Sequence, residues 1–156
     1  MTTKDDFTAE EWAQVSTLPV LVTAGAAFAD GRKLVSTVRE VVTGQKALSE
    51  GIAKYPSNTL VQAFSEEGPS MDLTQGMKSK KVSDVVDALT EQIAAAWAVL
   101  KSKATPEEAS EVAELLNAVG QAAAERTGSG ALGFGGDKVD ENEQAFLDKL
   151  AAILAS

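Results

Sequence analysis

At 156 residues the chain has the length of one domain that can bury a core without disulfides or metals, and a hydrophobic fraction of 44% with only 5% aromatics points to helices packed through small side chains. A formal charge of −9 and a pI near 4.5 argue against an electrostatic grip on nucleic acid or anionic lipid, which requires Lys and Arg to neutralise phosphates. Cysteine and histidine are both absent, which excludes disulfides, thiolate nucleophiles, Cys/His zinc sites, histidine-ligated haem and any histidine-based triad.

The N-terminal stretch MTTKDDFTAEEW lacks the basic-then-apolar pattern of a secretory leader, so a cytoplasmic location is expected. Thr8 and Glu11 form a T-x-x-E capping box, and Phe7 and Trp12 stand at the two positions of a hydrophobic staple, so a helix is predicted to start at Thr8. Pro19 ends it near Ser16 or Thr17 and opens a second helix. That helix, PVLVTAGAAFADG, is apolar on nearly every side, as a fully buried helix is. Its run Leu18 to Ala29 reads as too short to span a membrane. Ala24, Gly25, Ala26 and Ala27 suit close helix packing, with the lining of a pocket for an apolar ligand as the alternative.

From Lys33, apolar residues at Leu34, Val38, Val41, Val42, Leu48 and Ile52 predict a helix to about Lys54. Tyr55-Pro56-Ser57-Asn58 breaks it, and a short helix over Thr59 to Ser65 follows. A Gly- and Ser-rich loop from Glu66 to Lys81 then joins two halves, 7–66 and 79–156, of a single helical domain. Its basic cluster, Lys78, Lys80 and Lys81, reads as a solvated loop.

The second half opens on a seam of Val82, Val86, Leu89, Ile93, Trp97 and Leu100. Thr105 as N-cap, Pro106 behind it and Glu108 three residues on form a second capping box, and Val112, Leu115, Leu116 and Val119 face inward. The last helix is expected to be capped by Asp140 and Glu143 and to bury Phe146, Leu147, Leu150, Ile153 and Leu154. No segment alternates as a strand does. The predicted fold is an all-α bundle of about six or seven helices.

Between the last two helices lies GSGALGFGGDKVDENE. Gly128, Gly130 and Gly133 spell G-x-G-x-x-G, but the phosphate-binding version follows a strand and opens a helix, whereas this one follows a helix. A Walker loop fails because Gly136-Asp137 stands where a lysine and a hydroxyl are required. An EF-hand starting at Asp137 fails because Val139 occupies a ligand position and Asn142 the glycine position. The acids Asp137, Asp140, Glu141 and Glu143 are accounted for by helix capping, with a looser cation site as the alternative. Phe134 either tucks over the end of the bundle or is displayed to a partner, and Trp12 is the second candidate interaction residue.

Two acidic triplets, Asp84/Asp87/Glu91 and Glu107/Glu111/Glu114, each lie along one helix face. Solvated faces are the expected reading; a dinuclear carboxylate centre also needs the Glu-x-x-His pairs that this chain lacks. No Ser-x-x-Lys dyad and no G-x-S-x-G elbow is present, so no catalytic residue is assigned.

FTAEEW followed by a Pro-led apolar helix, together with ALGFGGDKVDENEQAFLDKLAAIL, resembles a group of small all-helical bacterial proteins without an established activity. Ala29-Asp30-Gly31 and Gly136-x-x-Val139-Asp140-x-x-Glu143 are similar to the helix-start phrases of the TerB-like tellurite-resistance fold. That resemblance implies a helical bundle binding a divalent cation through Asp30, Asp137, Asp140 and Glu143. The leading functional expectation is a non-enzymatic cytoplasmic interaction or scaffold protein of stress-associated type, working with a protein partner or by self-association. A TerB-like cation-binding domain and a binder of a small apolar ligand are the alternatives.

Overall fold

Thr8 begins the first helix as its local chemistry demands: the Thr8 hydroxyl accepts from the Glu11 amide at 3.2 Å, and the Glu11 carboxylate accepts from the Thr8 amide at 2.7 Å. In the computed structural model the described residues are 1–29, 37–66, 81–127 and 141–156; the side chains of 37–44, 82, 126 and 127 are also outside the description. After a 3-10 turn at Lys4–Asp6 come α1 (Ala9–Ser16), α2 (Leu18–Ala29), α3 (Thr37–Lys54), α4 (Thr59–Ala63), α5 (Val82–Lys103), α6 (Pro106–Thr127) and α7 (Glu141–Ala155). The fold is all-α, with no strand among the described residues.

α1 and α2 are almost continuous. Thr17 keeps a helical backbone while its amide donates to Gln14, and its carbonyl accepts from Leu21 at 2.9 Å. Pro19 sits in the first turn of α2, where a missing N–H leaves no carbonyl unserved. Leu18–Ala29 by itself is twelve residues long, but Ala9–Ala29 together has the length and apolarity of a membrane span. Within the protein, 67% of the 18-residue apolar window in that stretch is buried, as befits a core helix.

α2 is the axis of the molecule. Ten of its twelve residues are buried, and it packs against α3, α5, α6 and α7. Its small residues serve close approach rather than a cavity, because a Cβ at Gly25 would lie 2.3 Å from Cζ of Phe146. The buried Thr23 hydroxyl donates to the Pro19 carbonyl at 2.8 Å, so the helix satisfies its own polar group. Buried residues from both sides of residues 67–80 belong to one hydrophobic cluster.

The seam on α5 is broader than a strict alternation of fours and threes. Leu89, Ile93, Trp97 and Leu100 are buried as expected, but Val85 and Ala96 are buried beside them and Val86 is only half-buried. α5 touches α1, α2, α6 and α7, and several neighbours require a wider apolar face than one. On α6, Val112, Leu115, Leu116 and Val119 are buried; on α7, Phe146, Leu147, Leu150 and Leu154 are, with Ile153 partly covered. α4 is shorter than its predicted span, ending at Ala63 before a turn to Glu66. The Asn58 side chain caps it, accepting from the Leu60 and Val61 amides.

Candidate functional site

Polar chemistry gathers at two places. The first is the start of α6, where Glu108 closes its capping box with Thr105 and also holds the N-terminal segment. Its carboxylate accepts from the Thr2 amide at 2.7 Å, the Thr2 hydroxyl at 2.8 Å, and the Thr105 amide and hydroxyl, both at 3.0 Å. Burial works against ionisation, but these bonds outweigh it and hold the Glu108 carboxyl down at about 2. The Thr2 carbonyl accepts from the Thr59 hydroxyl, and Asn58 Nδ2 donates to the Glu108 carbonyl and to Glu111.

Beside this clasp, Lys103 Nζ lies 2.8 Å from Glu11, donates to the Asp6 carbonyl and stands over the Phe7 ring. Hydrogen bonding to Lys103 is the main cause that lowers the Glu11 carboxyl. Phe7 packs on Trp12, and Trp12 stacks on Phe64 at 6.3 Å between centroids. Trp12 is only 9% exposed, so its ring is committed to the protein's own core rather than displayed. The arrangement ties the N-terminal turn to α1, α4 and α6.

The second place is a groove of about 400 Å³ at the opposite end of α5. Ala29 from the end of α2, Ser83, Val86 and Asp87 from the first two turns of α5, and Asn142, Ala145, Phe146 and Lys149 from α7 line it. Each set follows from helical spacing: 83, 86 and 87, like 142, 145, 146 and 149, lie on one face. Phe146 is held by Gly25 beneath it. Lys149 Nζ lies 3.1 Å from Asp87 Oδ1, with side chains 55% and 63% exposed. Half of the lining is apolar (Ala29, Val86, Ala145 and Phe146) and half is polar or charged.

Of the sequence-predicted residues, Asp30, Phe134, Asp137 and Asp140 lie outside the described residues. Glu143 is described and is fully buried in the first turn of α7, in line with Leu147, Leu150 and Leu154. Among the described residues no group of three or more acids is arranged to hold a metal ion. The acidic triplets turn to separate neighbours: Asp87 to Lys149, Glu111 to Asn58, and Glu114 to Lys54 and Tyr55. Hydrogen bonding from Tyr55, then from Lys54, lowers the Glu114 carboxyl. The groove's Asp87, Asn142 and Lys149 are missed by reading motifs along the chain, because only the pairing of α5 with α7 brings them together. In comparisons with known proteins, no family model, curated protein or solved structure matches this chain closely enough to assign a family.

Proposed function

We propose that this chain is a non-enzymatic, cytoplasmic binding protein that holds a small ligand in the groove between the end of α2 and the starts of α5 and α7. The observation that carries the reading is the groove itself, about 400 Å³ with an apolar floor and an ion pair at its side. The leading expectation from the sequence, a scaffold for protein partners, has less to rest on: among the described residues the exposed large apolar side chain is Met1. A chain without Cys or His favours binding over catalysis.

Native mass spectrometry of the full chain purified from its own host tests this. The expected result is a retained small molecule, released when Phe146→Ala removes the groove floor, with hydrogen exchange slowed in the first turns of α5 and α7 while the molecule is bound. A bare chain that no fraction of host metabolites protects in those turns would overturn the reading.

A further inference from the structure

We infer that the ligand of this groove is a small zwitterion, an α-amino acid with an apolar side chain; this rests on the binding reading above. Asp87 and Lys149 present one anion and one cation that already touch at 3.1 Å. The ammonium and carboxylate of an α-amino acid are one carbon apart, so two side chains this close can each meet one of them. A lone cation would take Asp87 and leave Lys149 without its counter-ion, and a lone anion would do the reverse. A zwitterion replaces both partners at once, so charge is matched before and after binding.

The exchange is cheap because both side chains are more than half exposed, and an exposed pair of this kind contributes little by being closed. Ala29, Val86 and Phe146 face the ligand's apolar side chain. A groove of about 400 Å³ equals roughly a dozen waters at ~30 Å³ each, enough for an amino acid the size of leucine.

Isothermal titration of the full chain with L-leucine, leucine amide and N-acetyl-leucine separates the charges. Leucine is expected to bind, and each derivative, lacking one charge, to bind about tenfold or more weakly, the scale of one lost charge-assisted contact. The variants invert the order. Lys149→Met leaves Asp87 alone, so leucine amide overtakes leucine; Asp87→Asn leaves Lys149 alone, so N-acetyl-leucine overtakes it. A merely structural role for the pair would weaken all three ligands alike, and circular dichroism confirms that both variants fold. Leucine that binds no better than its two derivatives, or does not bind at all, overturns the zwitterion. If a non-zwitterionic molecule is then retained from the host, the binding reading survives without it; if nothing is retained, both fall.

Discussion

The two ends of α5 place polar groups under opposite conditions. At its C-terminal end, Lys103 lies beside the clasp in which the buried Glu108 carboxylate accepts four hydrogen bonds, two of them from Thr2, 106 residues away in sequence. At its N-terminal end, Asp87 meets Lys149 through one exposed contact beside an open groove. A buried and saturated carboxylate resists rearrangement because every alternative strands a desolvated charge. An exposed pair exchanges partners readily, since water can solvate either member. The chain is thus anchored at one end and available for exchange at the other.

The largest effect is expected where the groove meets the core. Phe146→Ala removes a ring that is 2% exposed and should cost about 3–5 kcal/mol, lowering the melting midpoint by about 2–4 °C per kcal/mol in a chain of this size. Calorimetry showing a loss below 1 kcal/mol would mean that the groove floor is not part of the core.

Next comes the clasp. Glu108→Gln keeps the shape but discards the charge-assisted bonds, for an expected loss of about 2 kcal/mol at neutral pH. The same carboxyl fixes a pH dependence. Its folded value, about 2, lies below the ordinary 4.5, so its stabilisation is fully present above about pH 4.5 and is lost as the pH falls from there towards 2. Melting curves across that window should be flatter in the Gln variant. Parallel curves for the two proteins would show that the clasp does not hold in solution.

Thr8→Ala removes a hydroxyl that accepts from one amide and should cost about 1 kcal/mol in chemical denaturation. The smallest effect belongs to the exposed pair: Asp87→Asn and Lys149→Met should each change stability by less than about 1 kcal/mol. If either variant costs as much as Glu108→Gln, the contrast between the two ends is lost.

What could be read in the sequence was local. Both capping boxes were legible at Thr8/Glu11 and Thr105/Glu108, because a box spans four residues and leaves tertiary structure no say. The buried faces of α6 and α7 were legible from their spacing. The second duty of Glu108 was not, since nothing near Thr105 announces Thr2. The burial of Glu143 went unread although 143, 147, 150 and 154 follow one another by four, three and four, a spacing that places it on the inward stripe of α7. The groove was invisible in principle, because Asp87 and Lys149 become neighbours only once α5 and α7 are packed together.

The near-continuous α1–α2 segment has a consequence for how the chain is made. α2 is translated well before α5, α6 and α7, the helices that enclose much of it, so its Val- and Ala-rich surface leaves the ribosome with few partners to cover it. For the time taken to synthesise more than a hundred further residues, the future centre of the molecule is its stickiest part. Its yield in a cell should therefore depend on chaperones that hold nascent apolar segments more than the modest size of the finished bundle suggests.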